Sequence, residues 1–274
     1  MKKKSTQIIS LILIILFVLL GLDPRIQMTN YEYSSTKIPR PFNGYKICLI
    51  SDLHCKSFGN KNATLIQKIK ELNPDIIVLT GDIVDENHDS IDAVEDLFQG
   101  IHKNKIPAYF ITGNHELDPD ASVQYKQLLS LFPKYGITDL DNSTVDLEIE
   151  NQIIKLSGAR WSSKSITQNL PMNSSNNFHI LLYHGADSFD SIQTYKYNLI
   201  LSGHIHGGIL RLPFVNAGLF GNSSNLFPKY VSGIYHNNSE TCSMIVSRGL
   251  GDSYIPRFYN RPELVLVTLT ALEE

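Results

Sequence analysis

The chain has 274 residues, which suits one large domain with an appendage better than two full domains. Its 42% hydrophobic and 19% charged content are those of an ordinary globular protein. A formal net charge of −3 leaves no broad basic surface of the kind nucleic-acid binding needs, so nucleic acid is not expected as a partner.

The N-terminus opens with Lys2, Lys3 and Lys4, followed at 8–22 by IISLILIILFVLLGL, an uncharged apolar run. As a helix this run is about 22 Å long against a bilayer core of about 30 Å, with Ser5, Thr6 and Gln7 able to extend it. The chain then continues GLDPRIQMTNYEY without an A-x-A cleavage pattern, so an uncleaved signal anchor is expected, with export after signal cleavage as the alternative. The lysines should stay cytoplasmic, which places the rest on the extracytoplasmic side of the cell membrane, crossed once. Polar residues 23–43, with Pro24, Pro39 and Pro41, read as a linker. The division expected is 1–30 for Lys cluster, anchor and linker start, and 31–274 for a catalytic domain.

Residues 45–51 (YKICLIS) form an apolar run of strand length. Residues 62–73 carry Leu65, Ile66, Ile69 and Leu72 at helical spacing, with Asn62 as N-cap and Asn73-Pro74 as terminator. Residues 75–80 (DIIVLT) predict a second buried strand, 90–102 a second helix, 108–112 (AYFIT) a third strand and 121–132 a third helix. This order predicts a parallel sheet covered by helices. Residues 145–160 then read as a hairpin turning at Glu150-Asn151. Four further strands are expected at 178–183, 197–202, 242–247 and 264–269, giving an α/β protein with mixed sheets.

The informative residues sit directly after the apolar runs. In open α/β sheets, ligands bind beyond the carboxyl ends of the strands. Here those ends deliver Asp52 and His54, then Asp82, then Asn114, His115 and Glu116, then His184, then His204 and His206. Each alone has an ordinary explanation as a turn former or a satisfied polar residue. Together, eight Asp, Asn and His side chains at five strand ends would be costly to pack without cations. Gly81, Gly113 and Gly203 each precede a candidate ligand, where the backbone must turn tightly. Cys48 reads as a core residue, and an odd cysteine count forms no complete disulfide framework. Cys55 comes directly after His54, and a thiolate there would suit zinc.

The blocks D-x-H, G-D, G-N-H-E, H and G-H-x-H, in this order over residues 45–206, resemble the calcineurin-like metallophosphoesterase superfamily. The N-terminal segment and the tail RGLGDSYIPRFYNRPELVLVTL (248–269) resemble a bacterial membrane-anchored subgroup. The resemblance implies a sandwich of two mixed β-sheets flanked by helices, preceded here by a membrane helix. It implies two divalent ions (Mn, Fe, Zn or Co), one held by Asp52, His54, Asp82 and His206, the other by Asp82, Asn114, His184 and His204. Asp82 would bridge them, His115 would face the leaving-group oxygen, and Glu116 would orient His115 or a ligand histidine. The implied reaction is hydrolysis of a phosphoester or pyrophosphate in a phosphorylated small molecule or a lipid-linked substrate such as UDP-diacylglucosamine. The same centre could serve a phosphodiesterase or nuclease, and a non-catalytic metal scaffold is the third reading. Arg160 could meet a phosphate. The loop 209–230, with Leu212, Pro213, Phe214, Leu219, Phe220, Leu226 and Phe227, could form an apolar lip or be buried against the domain.

Overall fold

A computed structural model of the chain describes residues 2–162, 176–213, 215, 217–221, 226–252 and 255–273. Phe214 of the expected lip lies outside them. The first element, α1 (Lys2–Gly21), covers the apolar run, and its Ile8, Leu11, Leu13, Leu19 and Leu20 are exposed. Among the described residues no helix is long and apolar enough to cross a membrane, so the fold itself does not support the expected span. The C-terminal end of α1 is docked on the rest of the molecule. Phe17 packs against Phe258 and Tyr259, the Tyr259 hydroxyl donates to the Phe17 carbonyl at 3.0 Å, and the Tyr259 N–H donates to the Gly21 carbonyl at 2.7 Å.

The stretch expected as linker is partly a strand. β1 (Gln27–Ser35) runs parallel to the last strand of the chain, in register from Gln27 opposite Glu263 to Ser35 opposite Ala271. Its sequence, QMTNYEYSS, is polar because an edge strand has one neighbour and a largely solvated face. Next come β2 (Lys46–Ile50), α2 (Ala63–Leu72), β3 (Ile76–Thr80), α3 (Asp92–Lys103), β4 (Ala108–Ile111), α4 (Ser122–Tyr135) and the short β5 (Ile137–Asp139). β6 (Ser143–Ile149) and β7 (Gln152–Ala159) form the expected hairpin, with Glu150 and Asn151 both at positive φ, as a tight primed turn requires. β8 (His179–Gly185), α5 (Phe189–Ile192), β9 (Leu199–Gly203), β10 (Gly233–His236), β11 (Ser243–Val246) and β12 (Glu263–Ala271) complete the chain.

Among the described residues, twelve strands make two six-stranded sheets, ordered β1-β12-β2-β3-β4-β5 and β10-β11-β9-β8-β7-β6. Both are mixed. β12 is antiparallel to β2 in the first, and the β10–β11 and β6–β7 pairs are antiparallel in the second. Alternation along the strands explains the layering. Ile47, Leu49, Ile76 and Val78 face the second sheet and meet Leu156, Ile180, Leu182, Leu199 and Leu201. Cys48, Ile50, Ile77 and Leu79 face the helices and pack with Leu65, Ile69, Val94, Leu97, Phe98 and Leu128. Strands buried on both faces read as continuous apolar runs, which is why they are visible in the sequence.

Asn62 does not cap α2 as expected. It adopts a left-handed conformation without a side-chain cap; its Oδ1 accepts from the Phe58 N–H at 2.7 Å and its Nδ2 donates to the Ala93 carbonyl at 2.6 Å. It thus ties the loop after β2 to α3.

Candidate metal centre

The parallel strands β2, β3 and β4 of one sheet and β8 and β9 of the other end at the same edge of the sandwich. Sharp turns there keep the next side chains inside the cluster. Asp52, His54, Asp82, His204 and His206 all have φ between 48° and 76°, a region non-glycine residues seldom occupy. Backbone strain of this kind persists only where surrounding structure enforces it, and it gathers at functional sites. The enforcing bonds run between loops: Asp52 N–H to the Gly81 carbonyl, His54 N–H to the Asp82 carbonyl, and Cys55 N–H to the Ile83 carbonyl, each 3.0 Å. Glycine is required at Gly203, where a Cβ would collide with Ser51 and the Asp52 carboxylate. It is required equally at Gly81, at φ 85°, where a Cβ would lie 2.6 Å from the backbone of Gly113.

All eight residues read from the sequence come together. His184 donates from Nδ1 to the Thr80 carbonyl at 2.7 Å, which turns its Nε2 to the interior. Around that Nε2 stand Asp82 Oδ2 at 2.9 Å, Asn114 Oδ1 at 3.1 Å and His204 Nδ1 at 3.1 Å. On the other side of Asp82, His54 donates from Nδ1 to Asp85 at 3.2 Å, and its Nε2 faces His206 Nε2 at 3.2 Å, with Asp52 Oδ1 3.5 Å from the latter. Donor atoms of Asp52, His54 and His206 lie within 4.8 Å of one another, as do those of Asp82, His184 and His204, and of His54, Asp82 and His115.

This donor set fits metal ions. Asp52, Asp82 and His184 are fully buried. Asp82 Oδ2 is buried and accepts no aligned hydrogen bond despite its closeness to His184. Ring nitrogens facing ring nitrogens and carboxylate oxygens need a shared positive charge, and borderline divalent ions suit such ligands. The charges register the same demand. Burial works against the His184 imidazolium, yet the Asp82 carboxylate outweighs it and pushes this ring up to about 10. Burial holds His206 well below the usual histidine range, with His54 and Arg257 adding to the effect.

The structure moves one expected role and adds others. Glu116 orients neither His115 nor a ligand histidine. Its buried carboxylate accepts backbone N–H groups instead: Asp82 at 2.9 Å and Gly113 at 2.8 Å on Oε2, Ile83 at 2.6 Å and Val84 at 3.2 Å on Oε1. It pins the turns carrying Asp82 and Asn114 to one another. Burial and the Asp82 charge push this carboxyl up to about 7, against the pull of the backbone donors. The partner of His115 is Glu86, 2.7 Å from its Nδ1. Asp85 and Glu86 lie in the same G-D-I-V-D-E segment as Asp82, and a carboxylate three residues after a candidate ligand Asp was the available signal. Arg257 Nη2 approaches His206 Nδ1 at 3.3 Å, and Asn260 Nδ2 donates to the His206 carbonyl at 2.7 Å; neither carried a signal in the sequence. Arg160 sits 3.9 Å from Asp141 as an ordinary partly exposed ion pair.

The model of the calcineurin-like phosphoesterase family matches residues 45–208. The chain is 31% identical over 258 residues to the uncharacterized metallophosphoesterase YkuE of Bacillus subtilis (strain 168), covering 90% of this chain and 87% of that protein. It is 26% identical over 230 residues to the phosphodiesterase YaeI of Escherichia coli (strain K12), covering 82% of each. Among solved structures, TT1561 of Thermus thermophilus superposes with a TM-score of 0.50 at 10% identity, over 76% of this chain and 91% of that one, a likeness of fold alone.

Replacing Glu116 by Gln sets an N–H2 group against backbone donors. The expected loss is about 1–3 kcal/mol of unfolding free energy in urea. Wild-type stability in that variant would show that the cradle does not hold the turns.

Proposed function

The chain belongs to the calcineurin-like phosphoesterase family, and on that premise we propose that it is a dinuclear metal-dependent phosphohydrolase. The observation that carries the reading is the buried Asp82 carboxylate between two groups of donors, His54 and His206 on one side and His184 and His204 on the other. Asp52, His54, Asp82 and His206 would hold one ion, and Asp82, Asn114, His184 and His204 the other. Bound ions would supply the Lewis acidity and the activated water that hydrolysis at phosphorus requires.

The chain's own residues do the rest. His115 is not needed as a ligand, and its side chain is 22% exposed, so substrate can reach it. The Glu86 carboxylate at Nδ1 fixes the ring's orientation and leaves its other nitrogen free to face the departing oxygen. Asp85 and the Thr80 carbonyl fix His54 and His184 with Nε2 turned inward. The similarity to a phosphodiesterase favours a diester over a monoester as the bond cleaved.

The substrate we propose is lipid-linked. Two features support this. Leu212, Val215, Leu226 and Phe227 are exposed on the loop after His206, rather than buried against the domain. The base of that loop is tied to Phe258, which packs on α1, and α1 carries no charge from Ser5 to its end, with an apolar run from Ile8 broken only by Ser10. In this reading α1, its apolar run extended toward the headgroups by the neutral Ser5, Thr6 and Gln7, attaches the protein to the bilayer, with Lys2, Lys3 and Lys4 on the cytoplasmic side and the catalytic domain outside. External protease should then digest the catalytic domain in intact spheroplasts, and protection until lysis would contradict the orientation.

The activity test compares a phosphomonoester, a bis-ester and a lipid-linked pyrophosphate as substrates of the manganese-loaded protein. Turnover should be lost on chelation and return with metal. His115→Ala should lower kcat about 10²–10⁴-fold with metal content intact. Asp82→Asn should lose both metal and turnover. Undiminished hydrolysis by Asp82→Asn, or metal loss in His115→Ala, would overturn these assignments.

A further inference from the structure

We infer that Cys55, Asp85 and His88 form a third metal site, of the kind that takes zinc, beside the main cluster and separate from it. Their donor atoms lie within 4.8 Å of one another. None of the three belongs to the proposed ligand set. Asp85 Oδ1 is 2.6 Å from His88 Nδ1, while its other oxygen is 3.2 Å from His54 Nδ1.

The chemistry of the donors selects the metal. A sulfur, an imidazole nitrogen and a carboxylate oxygen form a soft-to-borderline set that prefers zinc to manganese or magnesium. A tetrahedral zinc with bonds of about 2.0–2.3 Å separates its ligands by roughly 3.3–3.8 Å, so Asp85 Oδ1 and His88 Nδ1, now 2.6 Å apart, would open to admit an ion that Cys55 completes. The site has an entry path: Cys55 and Asp85 are buried, but the His88 side chain is 48% exposed, which leaves the fourth position to water. Its backbone is already held. The Cys55 N–H is bound to the Ile83 carbonyl, Asn87 N–H donates to Asp85 Oδ1 at 3.1 Å, and the His88 carbonyl accepts from Gln124 Nε2 at 2.7 Å. Cys55 is itself at φ 52°, the third such residue in the turn with Asp52 and His54. Binding would displace the thiol proton to solvent. Because Asp85 also holds His54, occupation of this site bears directly on a ligand of the main cluster.

The test uses the full chain, loaded with manganese and then titrated with cobalt(II) as a spectroscopic substitute for zinc. A sulfur-to-cobalt charge-transfer band should grow in the near ultraviolet for wild type and be absent in Cys55→Ser. His88→Ala, a change at a half-exposed side chain, should weaken cobalt binding about tenfold or more. In zinc dialysis, wild type should hold one zinc per chain more than either variant, at equal manganese content. Absence of the band in wild type, its survival in Cys55→Ser, or equal zinc in all three proteins would overturn the proposal and leave Asp85 and His88 as a half-buried hydrogen-bonded pair. Failure of the dinuclear reading would instead appear as lost manganese uptake with the thiolate band unchanged.

Discussion

Asp52 and Asp82 are fully buried at the ends of the neighbouring parallel strands β2 and β3. Two carboxylates in such a place are costly unless positive charge lies between and around them. Much of the surrounding structure answers that one electrostatic demand. The backbone supplies part of the answer. The His204 N–H donates to both oxygens of Asp52, at 3.0 and 3.1 Å, and the His115 N–H donates to Asp82 Oδ1 at 2.9 Å. Donors so placed require left-handed turns and glycines packed against one another. These leave Asp82 Oδ2 turned inward without an aligned donor.

The carboxylates around the cluster divide the labour. Glu116 holds the backbone of two loops, Asp85 holds His54, and Glu86 holds His115. Asp85 and Glu86, each hydrogen-bonded to a histidine of the cluster, bring further negative charge close to the centre, which strengthens the case that cations belong there. The C-terminal tail closes another side. Arg257 and Asn260 reach His206, while their neighbours Phe258 and Tyr259 grip α1. The N-terminal helix and a candidate ligand are therefore joined through four consecutive residues of one segment.

The parts of the fold legible in the sequence were those whose burial leaves a one-dimensional trace. Strands such as β3, with every residue buried, stand out as apolar runs, and the candidate ligands stand out because they come immediately after those runs. β1 left no such trace, because its nine residues are mostly polar and its partner lies more than 230 positions away. Asn62 carried the composition of a cap, yet tertiary bonds to Phe58 and Ala93 override that local preference. Glu116 was placed in the site but given the wrong task, since the sequence shows that it is near the ligands and not that four backbone N–H groups converge on it. Arg257 and Asn260 lie far along the chain from His206 and obey no recognisable spacing.

Electron paramagnetic resonance of the manganese-loaded protein tests the shared-carboxylate arrangement most directly. If Asp82 joins two ions, the spectrum should be that of an exchange-coupled manganese pair, and it should collapse in Asp82→Asn. A spectrum of isolated manganese at full loading, unchanged by that substitution, would contradict the account.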